Sequence, residues 1–248
     1  MNRGWIRARG KWVIAAVTAS LAALVGAPAV FALNTNFLNG GGPSVDRIDM
    51  IFYVFMAIAL LVLVGVGGAI LYAAVRFRRR SPDEMPKQVH GNRRIELIWT
   101  LVPFVVLAAL FALNLVNIGF IHSGPSAASP AGRQAIHIKV VGQQFYWTFH
   151  YPNGTSSIRT LEIPVGVPIE ISTESLDVIH GFWVPNLGAK IDALPGIVNH
   201  TYLEANKVGT YGGQCYEYCG VGHYTMLLTV DVVSMSQYQA YVQHLASA

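Results

Sequence analysis

Cysteine is scarce in this chain of 248 residues: there are two, and both fall in "CYEYCGVGHYTM", residues 215–226. A framework of several disulfides is thereby excluded, and at most one pairing is left. No C-x-x-C-H occurs, so these residues offer no c-type haem attachment. Charge is scarce as well, at 12% of residues, whereas 53% are hydrophobic. That balance is too apolar for an ordinary soluble protein and points to membrane segments. The net charge of +4 is unevenly spread: residues 1–117 hold 12 Lys/Arg against 5 Asp/Glu, and residues 118–248 hold 5 against 8. The basicity belongs to the apolar half and is no argument for a nucleic-acid partner. Zinc-finger spacing, a phosphate-binding glycine loop and an aromatic RNA-binding box are all missing.

Long uncharged runs are what the first half does contain. Residues 1–32 begin basic, continue through an apolar run and end in small residues, the layout of a secretory signal peptide. The alternative is an uncleaved first span. "LNTNFLNGGGPSVDRID", 33–49, reads as an exposed linker. Residues 50–75 and 97–121 carry no charge and are each long enough to cross a bilayer, with Pro103 early in the second. Between them, residues 76–94 hold seven Lys/Arg, which places that loop in the cytoplasm. Export and charge bias then agree on one topology, a hairpin with both ends outside.

From residue 122 the texture changes. After the linker "GPSAASPAG" come short alternating runs, "AIHIKVV", "FYWTFHY", "SIRTLEI", "VPIEIST", "NHTYLEA" and "LLTVDVV", separated by Gly, Pro and Asn. They predict a β-sandwich or barrel, closed by a serine-capped helix in "SMSQYQAYVQHLASA". The fold expected is an α+β membrane protein: a two-helix hairpin over 33–121, then an exported β domain over 122–248.

The cysteine stretch reads C-x-E-x-C-G-x-x-H-x-x-M. Cys215, Cys219, His223 and Met226 form a soft donor set suited to copper. Zinc would use the Cys and His, but a thioether adds nothing for it. A further histidine is needed upstream, and His180 in "DVIHGFWVP" is the best candidate. Each residue alone has a plainer reading: a disulfide, a core histidine, a core methionine. The argument rests on the constellation.

With that stretch and "DVIHGFWVP", the sequence resembles the cytochrome c oxidase subunit II family and its dinuclear copper (CuA) centre. "RRIELIWTLVP", "GQQFYWTFHYPNG" and "VPNLGAKIDALPGIVNHTYL" carry the resemblance over about 200 residues, in order. The resemblance implies a cupredoxin-like Greek-key β-barrel. It implies that Cys215 and Cys219 bridge two copper ions, with His180 and His223 as imidazole ligands. Met226 and the carbonyl of Glu217 would be weak ligands. The Glu217 carboxylate would reach a Mg or Mn ion shared with subunit I. Glu96 would stand at the mouth of a proton-uptake path. Phe145 takes the place of the family's usual tryptophan for electron entry, and Tyr146 and Trp147 beside it are the other candidates. No oxygen-reducing catalytic residue is expected in this chain; that site belongs to subunit I. The implied partners are subunit I, other oxidase subunits and a c-type cytochrome or similar carrier. The implied place is a bacterial plasma membrane, with the β domain on the periplasmic side.

Other classes share parts of the pattern. Quinol oxidase subunits share the architecture without the copper ligands. Nitrous oxide reductase has a similar copper motif but no hairpin. An exported domain with a disulfide would hold no copper. Finally, 13 charged side chains in residues 118–248 suggest an acidic exterior or a donor docked mainly by apolar contact.

Overall fold

The computed structural model describes residues 40–81, 85, 88, 91–123 and 135–247. The signal peptide expected at 1–32 and the linker "GPSAASPAG" lie outside the described residues.

Among the described residues, two long helices come first, α1 (Pro43–Arg76) and α2 (Arg93–Ser123). Both outrun the uncharged segments read from the sequence. At 34 residues, α1 is about 51 Å long against a hydrocarbon layer of about 30 Å. α2 runs through Pro103, whose ring nitrogen gives up one helix hydrogen bond. Asn92 starts it: its Oδ1 accepts from the Arg94 and Ile95 N–H groups at 3.1 and 3.4 Å. The helices run antiparallel, and Arg47 near the start of α1 donates to Oδ1 of the buried Asn117 near the end of α2 at 3.2 Å.

The exposed linker expected over 33–49 needs correction in its described part. Residues Gly40, Gly41, Gly42, Ser44 and Val45 are buried. The Gly41 N–H donates to the Asn186 carbonyl at 2.8 Å, and the Asn206 N–H donates to the Gly41 carbonyl. A Cβ on Gly42 would stand 2.2 Å from the Glu204 carbonyl oxygen. Glycine here permits close backbone approach to the β domain, a use that composition does not distinguish from a loop.

The β domain holds two five-stranded sheets. The first has the order β3 (Ser156–Ile158), β2 (Tyr146–His150), β1 (Ile136–Gln143), β5 (Ile169–Ser175), β8 (Asn199–Leu203). The second has β4 (Thr160–Pro164), β10 (Leu227–Val233), β9 (Gly209–Cys215), β6 (His180–Val184), β7 (Ala189–Ala193). Most pairs are antiparallel; β1 with β5 and β10 with β4 are parallel. Edge β8 lies beside β7 and edge β3 beside β4, so the sheets curl into a barrel of the cupredoxin-like kind. Alternation decides what faces inward: in β5, Ile169, Ile171, Thr173 and Ser175 are buried while Glu170, Ser172 and Glu174 face out. Trp147, Phe149, Leu161, Ile163 and Phe182 are fully buried between the sheets.

β10 leads into α3 (Met235–Ser247). Ser234 and Gln237 make the expected cap: the Gln237 Oε1 accepts from the Ser234 N–H at 3.0 Å, and Ser234 Oγ accepts from the Gln237 N–H at 3.4 Å.

Candidate metal centre

Two strands and one loop build the site. β6 begins at His180 and pairs with β9, where Phe182 lies opposite Cys215. The Gly181 N–H points at the Cys215 Sγ, 3.5 Å away, and the Tyr216 N–H donates to the Gly181 carbonyl at 3.0 Å. This pairing brings a histidine 35 positions upstream beside the cysteine loop. The Cys215 N–H donates to the Met226 carbonyl at 3.0 Å, so both ends of the loop are held in the sheet.

Phe145 supports the loop from below. A Cβ on Gly222 would come 2.4 Å from the Phe145 ring, and Gly220, at φ +131, lies over the same ring. The Gln144 side-chain amide donates to the Cys219 carbonyl at 2.5 Å.

The donor atoms converge. Ligand atoms of His180, Cys215 and Cys219 all lie within 4.8 Å of one another, and all three residues are buried. Cys215 Sγ is 4.0 Å from His180 Nδ1 and 3.2 Å from the Glu217 carbonyl oxygen. Cys219 Sγ is 3.6 Å from His223 Nδ1 and 3.8 Å from Met226 Sδ. The cysteines are free thiols, not a disulfide.

Charge at the two sulfurs is unequal. Burial works against the Cys215 thiolate, but hydrogen bonds with His180 and the Gly181 N–H outweigh it, and the thiol sits below its ordinary value. Burial and the neighbouring Cys215 push the Cys219 thiol up to about 11. A cation close to both sulfurs would favour the thiolate form of each. Two sulfurs, two imidazole nitrogens, a thioether and a carbonyl are a donor set that fits a soft metal pair.

Sequence reasoning missed Asp177. Its Oδ1 meets His180 Nε2 at 2.7 Å, and its Oδ2 accepts the Gln144 N–H at 2.7 Å. Nδ1 of the same ring is thus turned toward the sulfurs. The carboxylate three positions before the histidine in "DVIH" was the available signal. Arg159 was missed too: its guanidinium donates to the Thr225 and Phe145 carbonyls, each at 3.3 Å, tying the loop to the segment beneath it.

The remaining sequence-picked residues lie in different settings. Tyr146 is half-buried and hydrogen-bonds the Gln143 side chain. Trp147 is fully buried, with its ring edge-on to His180 at 6.0 Å between centroids and its indole N–H without a partner among the described residues. The Glu217 side chain is half-buried at the loop. Glu96 is exposed at the start of α2, far along the chain from the metal centre, and its Oε1 accepts the Asn92 N–H at 3.2 Å.

Residues 156–233 match the family model described as "Cytochrome C oxidase subunit II, periplasmic domain", and residues 30–115 match "Cytochrome C oxidase subunit II, transmembrane domain". A probable cytochrome c oxidase subunit 2 of Rickettsia bellii is 31% identical over 216 residues, covering 78% of this chain and 76% of that protein. The chain belongs to the cytochrome c oxidase subunit II family. A cytochrome c oxidase subunit 2 of Alkalihalophilus pseudofirmus is 34% identical over 216 residues, covering 86% of this chain; the chain spans 63% of that relative's length. A quinol oxidase subunit 2 of Bacillus cereus is 30% identical over 217 residues, covering 83% of this chain and 71% of that protein. As the family requires, the two helices are membrane segments and the barrel is an external domain. Relatives with both kinds of name match at similar identity, so the choice of electron donor must be argued from the site.

Proposed function

We propose that this chain is the electron-entry subunit of a respiratory haem–copper oxidase, accepting electrons from a c-type cytochrome or similar carrier. The observation that carries this reading is the convergence of two free, buried thiols and His180 within 4.8 Å, with His223 and Met226 on the second thiol. His180, Cys215, Cys219, His223, Met226 and the Glu217 carbonyl would hold a dinuclear copper centre. Bound there, the copper pair supplies a one-electron store shared over two metals.

The residues do the rest. The Cys215 and Cys219 sulfurs would hold the pair between them and share its charge. The sheet pairing at both ends of the loop limits movement between redox states. Asp177 holds the His180 ring by Nε2 and leaves Nδ1 for the metal. The half-buried Phe145, under the loop, is the best placed of the three aromatics for electron entry; the buried Trp147 serves the core beneath His180. The Glu217 carboxylate would take Mg or Mn with the help of subunit I. Glu96 would collect protons at the cytoplasmic end of α2. Subunit I would reduce oxygen to water coupled to proton pumping. We assign residues 1–32 to a signal peptide, 33–121 to the linker and hairpin, and 122–248 to the exported copper domain, in a bacterial plasma membrane.

A quinol-linked role is the second reading, because a quinol oxidase subunit 2 is among the relatives. The complete ligand set argues against it. The test is metal content and electron paramagnetic resonance of the full chain, purified in detergent and loaded with copper. Two coppers per chain with a seven-line hyperfine pattern are expected. One copper with a four-line pattern, or no copper with Cys215 and Cys219 oxidised together, would overturn the copper reading.

A further inference from the structure

The outer face of the first sheet carries a cluster of two histidines around one carboxylate. It lies at the far end of β1 from the copper loop. Gly142, near the other end of that strand, packs on the His180 ring; His137 is five residues earlier, about 17 Å along the strand. In the parallel pairing of β1 with β5, His137 stands opposite Glu170. In the antiparallel pairing of β5 with β8, His200 stands opposite Ser172, one diagonal step from Glu170 on the same face. Three adjacent strands thus present His, Glu and His side by side.

The contacts are specific. His137 Nδ1 is 2.8 Å from Glu170 Oε2, and His200 Nδ1 is 3.7 Å from Glu170 Oε1. Each carboxylate oxygen faces a different imidazole, and each imidazole uses the same nitrogen. Lys139, two residues along β1, is held by Glu174 at 2.6 Å, so its ammonium is engaged by another carboxylate. The Glu170 side chain is 24% exposed, an anchored centre, whereas His137 and His200 are 71% and 59% exposed. Neither ring is packed in place. Both exposed rings have room to rotate toward an ion held at Glu170.

From this juxtaposition we infer that His137, Glu170 and His200 form a surface site for a borderline divalent cation, Zn²⁺ or Cu²⁺, separate from the dinuclear centre. Imidazole nitrogen and carboxylate oxygen favour such ions over Mg²⁺ or Ca²⁺, which prefer all-oxygen shells. The metal would come between each ring and the carboxylate, with water in the remaining positions. A bound ion would tie β1, β5 and β8 together across the sheet.

The test is equilibrium dialysis of Zn²⁺ against the full chain in detergent, without a polyhistidine tag. A C215S/C219S background removes the thiols that would otherwise take zinc. One zinc per chain is expected, falling to none in Glu170→Gln and in His137→Asn/His200→Asn, and unchanged in His244→Asn, on the exposed side of α3. In the unsubstituted chain, ¹⁵N-histidine spectra should show the His137 and His200 ring signals moving together as zinc is added. Zinc uptake unchanged by Glu170→Gln, or ring signals that stay still, would overturn the site.

Discussion

The hairpin and the barrel use the same apolar residues in opposite places. In α1, Leu61 and Leu63 are 72% and 70% exposed, while in the barrel Val140, Phe149 and Ile163 are 0% exposed. The difference is the solvent. Lipid is as apolar as leucine, so the helix turns its apolar surface outward and satisfies its backbone internally. The barrel stands in water, so it turns alternate residues inward and its polar ones out. A residue's chemistry decides its burial only after the surrounding medium is known.

That contrast can be broken by truncation. Ile163→Ala should cost about 2–5 kcal/mol of barrel stability, by lost burial and the cavity left behind. Leu63→Ala, which exchanges one lipid contact for another, should leave the barrel's unfolding midpoint unchanged. Leu63→Arg should instead cost about 2.5–3.5 kcal/mol in membrane insertion if it falls near mid-bilayer. Denaturant unfolding of the barrel and an insertion assay of the hairpin check both sides. A large barrel effect from Leu63→Ala would show that the two regions fold as one.

The barrel's copper end can be separated from its core more gently. Asp177→Asn leaves the packing intact but loosens the His180 ring, and copper affinity should fall roughly 10–100-fold. The same substitution has a pH signature. Burial opposes the Asp177 charge, but the Gln144 N–H, His180 and the Val178 N–H outweigh it and hold the carboxyl below its ordinary value. The stability it contributes is complete above the unfolded value of about 3.9 and is lost as pH falls through the lowered one. Acid titration of the two proteins should show that loss in the parent alone.

The smallest effect concerns two carboxylates on neighbouring strands. Glu162 on β4 stands opposite Asp231 on β10, and burial and then the Asp231 charge raise its pKa. A raised carboxyl destabilises the fold at neutral pH, and the penalty vanishes as pH falls through the folded and then the unfolded value. Glu162→Gln should therefore stabilise by about 0.2–1 kcal/mol at neutral pH and by nothing in acid. Thermal midpoints at the two pH values check it.

Strands were legible where alternation was strong, as in "AIHIKVV" for β1 and "LLTVDVV" for β10. "SIRTLEI" reads as one run but forms β3 and β4, with Arg159 at φ +64 turning the chain between the sheets. β9, "GTYGGQC", was hidden because glycine carries no hydrophobic pattern, yet it is a central strand and supplies Cys215.

By itself the sequence determined the two apolar helices and the donor set of the 215–226 loop. Hydrophobic length and ligand spacing are local properties, written in consecutive residues. Only the tertiary structure decided that Cys215 would meet His180, that Asp177 would turn that ring, and that Gly40–Gly42 would press against the barrel. Those contacts depend on which strands pair across long stretches of chain, and that choice is made by the packing of the whole core.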